Sequence, residues 1–289
     1  MGDSKQITLS DGRKLGYVTL GPETGRPIFY HHGWPSSRFE ALMLQDVMER
    51  VNGRLIAVDR PGYGLSDFQP DRTLLDWPDD ISELADQLGI DQFYVMGLSG
   101  GGPYVAACAY KIPHRLLGAT IVAGLSPMSN PQTQEGMRQM NRILLSVGKS
   151  MPWLLNLLLW PVQSASSNPK MLERMLSDLP DVDKAVLTEE AGTRMLHSAQ
   201  ESFRQGRKGA TQGGRIYAQP WGFELSHITM PVSIWQGTLD VNVPQSNGRI
   251  FANNIPNATA HFIEGEGHIS LIANHGEAIL ADLLSSPTE

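Results

Sequence analysis

The sequence predicts an α/β fold: a mostly parallel central sheet flanked by helices, with a helical segment inserted in the middle of the chain. Three observations carry that expectation. Short runs of β-branched, aromatic and aliphatic residues alternate with stretches whose apolar residues recur at helical spacing, the pattern of strands joined by crossover helices. A Gly-x-Ser-x-Gly pentapeptide, Gly97-Leu98-Ser99-Gly100-Gly101, stands between one such run and a helix-like stretch. The alternation then lapses from Leu125 to Pro220, where the chain reads as helix throughout.

Taken in order, Ile7-Thr8-Leu9 and Lys14 to Val18 flank Asp11-Gly12 and read as a hairpin. Pro27 to His31 is a buried strand, and a helical stretch follows from about Ser36 to Arg50. Arg54 to Val58 is a further strand. Leu74, Ile81, Leu84 and Leu88 then recur at helical spacing until Gly89 stops the run. Gln92 to Met96 is the strand before the pentapeptide; Tyr104 to Tyr110, opened by Pro103, is the helix after it. Leu117 to Gly124 completes the first half as a strand. Val232 to Trp235 and Ala258 to Ile263 are strands of the second half, and a closing helix runs from about Ser270 to Leu284. The expected organisation is a core of 1–124 and 221–289 with a cap over 125–220. That middle segment holds seven of the chain's twelve methionines, with Trp153 and Trp160 as candidates to bind substrate. Methionine enrichment has two readings, adaptable core packing or a deformable lid over an apolar ligand.

Composition narrows the function classes. The 289 residues are 41% hydrophobic, enough for a large core, and a net charge of -7 argues against a nucleic-acid partner. The single cysteine, Cys108, excludes an internal disulfide and reads as a small buried hydrophobe. Met1 to Gln6 carries no apolar signal region, and the longest apolar stretch, Trp153 to Trp160, is too short to span a bilayer. The expectation is a cytoplasmic protein without a membrane span, its oligomeric state left open to a homo-oligomer.

The pentapeptide carries the chemistry. A sharp turn between strand and helix pushes a serine out of the fold as a nucleophile, and only small neighbours let the two elements cross so closely. A phosphate-binding loop would need Gly-Lys-Ser/Thr or Gly-x-Gly-x-x-Gly, and Gly97 to Gly102 supplies neither. Serine is a weak nucleophile at neutral pH, so a base and a group to orient that base are required. For an elbow serine on a parallel sheet these follow in the order acid, then histidine. Asp240 falls in the loop after the strand ending near Gly237, and His268 in the loop after the next. His275, in the closing helix, is the best rival base; His261 falls inside a strand, while His114, His197 and His227 read as loop or surface residues. Two backbone N–H groups should receive the oxyanion, that of Gly100 and that of Trp34 in the loop His31-His32-Gly33-Trp34-Pro35. The histidine pair reads as a hydrogen-bonded anchor of that loop, and neither a metal nor a cofactor is expected.

These segments together resemble a capped member of the α/β-hydrolase fold family along nearly the whole chain. His32-Gly33-Trp34-Pro35 is similar to the family's HGxP oxyanion loop, and Asp59 to Ser66 to its DxxGxGxS segment. Gly97 to Gly101 matches its nucleophile elbow, and Asp240 and His268 its GxxDxxVP and GxGH positions. The resemblance implies a Ser99–His268–Asp240 triad acting through an acyl-enzyme. The family's dehalogenases and epoxide hydrolases carry an aspartate at the elbow, so the serine argues against those reactions. The expected activity is hydrolysis of a small or medium ester with an apolar portion, with that small molecule as partner. Thioesterase, lactonase and carbon–carbon bond hydrolase chemistry would use the same triad. A hydroxynitrile-lyase-like enzyme, or a non-catalytic receptor of the same fold, are the alternatives of a different kind.

Overall fold

The computed structural model describes residues 3–285. Met1, Gly2 and residues 286–289, which fall in the expected core segments, lie outside the described residues. Eight strands form one sheet: β1 Ser4–Thr8, β2 Lys14–Leu20, β3 Arg26–His31, β4 Gly53–Val58, β5 Phe93–Leu98, β6 Leu116–Val122, β7 Val232–Gly237 and β8 Ala258–Ile263. Their order across the sheet is β1-β2-β4-β3-β5-β6-β7-β8. β1 and β2 form the antiparallel hairpin at one edge, turned at Gly12, and β2 runs antiparallel to β4. From β4 to β8 every neighbouring pair is parallel.

Alternation along the strands divides the core into two layers, because successive side chains point to opposite faces. Phe29, Ile56, Val58 and Val95 face one layer. It is covered by α2 (Trp77–Gln87), α3 (Gly102–Lys111) and α10 (Gln245–Asn254). Ile28, Tyr30, Leu55, Ala57 and Met96 face the other. Against it lie α11 (His268–Leu284) and the segment 38–48, which is 3-10 helix over Arg38–Leu44 and only one α-turn, α1, over Gln45–Met48. The single long helix expected there is thus replaced by a tighter coil. Its first residue is pinned from outside, since Arg38 donates its backbone N–H to Asp59 at 2.7 Å and its guanidinium to Glu201 at 2.8 Å. Helix α10, which the sequence reading left unassigned, crosses over between β7 and β8.

Between β6 and β7 the chain forms α4 (Gln139–Ser150), α5 (Pro152–Ser166), α6 (Pro169–Leu176), α7 (Asp181–Ala185), α8 (Glu189–Ser202) and α9 (Lys208–Ala218). This helical insertion packs on the body of the protein through Leu144, Leu155, Leu159, Phe203 and Ala210, which cluster with Tyr63 and Trp34.

The topology decides where a site can form. β4 lies on one side of β3 and β5 on the other, so the connections leave in opposite directions and open a crevice at the carboxyl ends of β3 and β5. Just past the carboxyl ends of β3, β5, β7 and β8 stand Trp34, Ser99, Asp240 and His268 respectively, Trp34 and Asp240 in loops, Ser99 at the start of a 3-10 turn and His268 at the start of α11.

Candidate active site

Ser99 begins a 3-10 turn, Ser99–Gly101, that joins β5 directly to α3. Its φ of 56° lies in the left-handed region, which a non-glycine residue adopts at a cost of about 1–3 kcal/mol. The neighbouring glycines make the turn possible. A Cβ on Gly97 would stand 2.5 Å from the carbonyl oxygen of Gly101, and one on Gly101 would overlap the carbonyl oxygen of His31. The serine is therefore held by a close backbone crossing that only glycine permits.

The loop after β3 is clamped against this turn. Both ring nitrogens of the buried His32 are engaged, Nδ1 donating to the Gly33 carbonyl at 2.9 Å and Nε2 accepting the Arg60 backbone N–H at 3.3 Å. Arg60 donates to the carbonyls of His32 and Gly33, to the latter at 2.7 Å. Burial, with the Arg60 cation beside them, holds His32 well below the usual histidine range and pushes His31 down to about 3. Both rings are neutral, but only His32 anchors the loop; His31, the last residue of β3, turns its ring to the Trp77 indole and Cys108 instead. Trp34 is tied to the insertion, its indole Nε1 donating to the Ala210 carbonyl at 2.8 Å. A Cβ added to Gly100 would lie 3.2 Å from Trp34 N, so the two expected oxyanion donors sit on facing stretches of backbone. Tyr217 of α9 donates its hydroxyl to the Gly100 carbonyl at 2.9 Å.

Asp240 is buried in the loop after β7. Its Oδ1 accepts the backbone N–H groups of Asn242 and Val243, each at 2.8 Å, and Oδ2 accepts His268 Nδ1 at 2.7 Å. Bonding through Nδ1 fixes the tautomer with Nε2 as the free acceptor. Burial opposes the charged imidazole, but the Asp240 carboxylate, its hydrogen bond and the nearby charges of Asp183 and Glu40 outweigh it. His268 is held above the ordinary histidine value. The rivals are occupied elsewhere: His275 bonds Glu266 at 3.2 Å, and His261 stacks on Trp235 with centroids 4.3 Å apart. His197 is not a loop residue; it lies in α8, stacked on Phe39 at 4.4 Å.

His268 is not in a loop either, but is the first residue of α11. The helix starts two residues earlier than expected because its free N–H groups find an acceptor 85 residues away. The buried carboxylate of Asp183, in α7 of the insertion, accepts the backbone N–H of His268 at 3.1 Å and those of Ile269 and Ser270 at 2.9 Å each. A carboxylate at a helix N-terminus is favoured by both the unpaired donors and the helix dipole. Local sequence gave no sign of Asp183. Glu40 was missed as well: its Oε2 accepts the Gly33 N–H at 2.7 Å and the Tyr30 hydroxyl at 2.9 Å, and burial raises its pKa above the usual carboxyl value.

Ser99, Gly100, Trp34, Glu40 and His268 all line one cavity of about 500 Å³. Its remaining wall is largely apolar and comes mostly from the insertion, with Leu145, Val162, Leu179, Met195 and Phe203 among the lining residues, and in part from the body through Phe39, Met43 and Ile272. Among the described residues no hydrogen bond joins Ser99 Oγ to His268; such contacts commonly tighten when substrate is bound. Trp153 and Trp160 do not line the cavity. They are 67% and 60% exposed on α5, because the inward face of that helix is taken by Leu155 and Leu159, two and one residues away. The methionines divide similarly: Met137 and Met195 line the cavity, whereas Met140 and Met151 face outward.

The chain is 26% identical to a non-heme chloroperoxidase of Streptomyces lividans over 96% of its own length and 98% of that protein's. It is 32% identical to a bifunctional esterase/perhydrolase of Acinetobacter calcoaceticus, a match spanning 43% of this chain and about half, 48%, of that protein. Among solved structures, an esterase from Rhodococcus sp. ECU1013 superposes with a TM-score of 0.71 at 19% identity, covering 98% of this chain and 99% of that one, a likeness of fold. Residues 26–274 match the family model for the alpha/beta hydrolase fold, and the chain belongs to that family.

Proposed function

We propose that the protein is a serine hydrolase that cleaves a small or medium-sized ester with an apolar portion. The observation that carries the reading is the 2.7 Å bond from His268 to Asp240 beside a cavity that Ser99 shares. In this mechanism His268 Nε2 takes the proton of Ser99 Oγ as the oxygen attacks the ester carbonyl. The tetrahedral oxyanion is received by the backbone N–H groups of Gly100 and Trp34. His268 passes the proton to the departing alcohol, leaving an acyl group on Ser99, and then draws a proton from water for deacylation. Asp240 keeps the imidazole in the required tautomer and balances its charge. The insertion, read as a cap over 125–220, supplies an apolar wall for the acyl or alcohol portion. The resemblance to an esterase/perhydrolase supports ester chemistry.

The test is a series of p-nitrophenyl esters from acetate to long acyl chains, measured on wild type and Ser99→Ala in parallel. Serine-dependent turnover with an optimum chain length is expected, Ser99→Ala losing roughly three or more orders of magnitude in kcat. Equal turnover by the two proteins overturns the reading. Serine-independent ligand binding without turnover would instead favour a receptor of this fold.

A further inference from the structure

Among the described residues, eight large hydrophobic side chains are exposed, and six of them fall between positions 140 and 160: Met140, Ile143, Met151, Trp153, Leu157 and Trp160. The other two, Phe68 and Leu239, lie on separate loops. Trp153, Leu157 and Trp160 are spaced by four and three residues, so they stand on one face of α5, exposed by 67%, 57% and 60%. The opposite face of the same helix buries Leu155 and Leu159 completely. Helix α4, which packs against α5, turns Met140, Ile143, Arg142 and Lys149 outward.

Charge marks this surface as unlike the rest. The chain has a net charge of -7, yet from Met137 to Met171 it contains Arg138, Arg142, Lys149 and Lys170 and no Asp or Glu. A helix face of Trp and Leu flanked by Lys and Arg is the composition that settles into the boundary between lipid headgroups and acyl chains. No helix among the described residues is long and apolar enough to cross a membrane, so the contact would be peripheral. A symmetric pair of copies meeting through this face would bring the like charges of Arg142 and Lys149 from both copies into one interface with no Asp or Glu between positions 137 and 171 to offset them, which opposes that arrangement.

We infer that the outer face of α4 and α5 docks on an anionic lipid surface, with Trp153, Leu157 and Trp160 inserted among the lipids and Arg142 and Lys149 against their phosphates. The inference is independent of the reaction proposed for the cavity.

Flotation of the full chain with vesicles tests it. Binding is expected on vesicles of equal parts phosphatidylcholine and phosphatidylglycerol, weakening with added salt, and little on phosphatidylcholine alone. The triple change Trp153→Ser, Leu157→Ser, Trp160→Ser removes binding. The pair Arg142→Gln, Lys149→Gln lowers it roughly thirtyfold and decides the matter should the triple variant fail to fold. Failure of wild type to float with the mixed vesicles overturns the inference, as does equal binding by wild type and the charge variant. A wild-type dimer that the triple change splits, with no lipid binding, also overturns it and assigns the face to a second copy.

Discussion

Ser99 and His268 reach the same cavity by opposite routes. The serine is placed by backbone alone: a positive φ and two glycines within five residues press β5 against α3, with the carbonyl of His31 behind them. The histidine is placed by side chains from two distant segments, Asp240 on its ring and Asp183 on the N–H groups of its helix. One half of the site is a property of a local turn. The other exists only once β7, α7 and α11 have come together, so the proposed base is the part most open to adjustment by the rest of the molecule.

Substitutions can separate the two halves. Asp240→Asn leaves the elbow intact but presents the wrong tautomer, and kcat is expected to fall by about four orders of magnitude with the fold retained. Loss of less than tenfold in steady-state assays would show that the ring needs no carboxylate. Asp183→Ala removes the acceptor of three backbone N–H groups, two of them buried, and urea denaturation should register a loss of roughly 3 kcal/mol. Gly97→Ala strikes the elbow instead. Its methyl meets the Gly101 carbonyl, and a loss of about 2 kcal/mol is expected with the His268–Asp240 bond undisturbed. Retention of an unshifted His268 imidazole signal by NMR in Gly97→Ala, and its displacement in Asp183→Ala, would confirm that the halves are independent.

The smallest effect concerns pH. His268 must be neutral to act as base, and its pKa is raised, so kcat/KM should decline on acidification through a midpoint above the ordinary histidine value. Asp183→Asn removes one of the three negative charges that raise the His268 pKa, those of Asp240, Asp183 and Glu40, and moves the midpoint to lower pH. An unmoved midpoint would mean that Asp183 acts on the helix alone. The same raised pKa fixes the sign for stability. The imidazolium–carboxylate pair contributes fully below the ordinary histidine pKa, and its contribution is lost as pH rises through the folded-state value.

How much of this was legible in the sequence follows the same division. Ser99, Gly100, Trp34 and the loop anchors are encoded by consecutive residues with a fixed turn geometry, and a short motif suffices to place them. Asp240 and His268 could be assigned to the ends of successive strands because parallel sheets collect their loops at one edge. Asp183 and Glu40 had no such marker. Each is a carboxylate whose partners lie on other segments, and spacing along the chain says nothing of them. Trp153 and Trp160, candidates to bind substrate by sequence, face away from the cavity for a related reason. In a helix as apolar as Pro152–Ser166 the composition does not reveal which side is inside; Leu155 and Leu159 won the interior. Helix α10 escaped because Gln245–Asn254 is mostly polar, with only Ile250 and Phe251 as large buried hydrophobes.

The bonds from Asp183 to the start of α11, from Trp34 to Ala210 and from Tyr217 to Gly100 carry a consequence for engineering and for ligand entry. Each spans the seam between the helical insertion and the sheet, and each ends on a segment that lines the candidate site. Lifting the insertion away as one piece would disconnect the loop after β3, the Ser99 turn and the start of α11 together. Exchanging the segment for that of a relative would therefore have to carry these three attachments across.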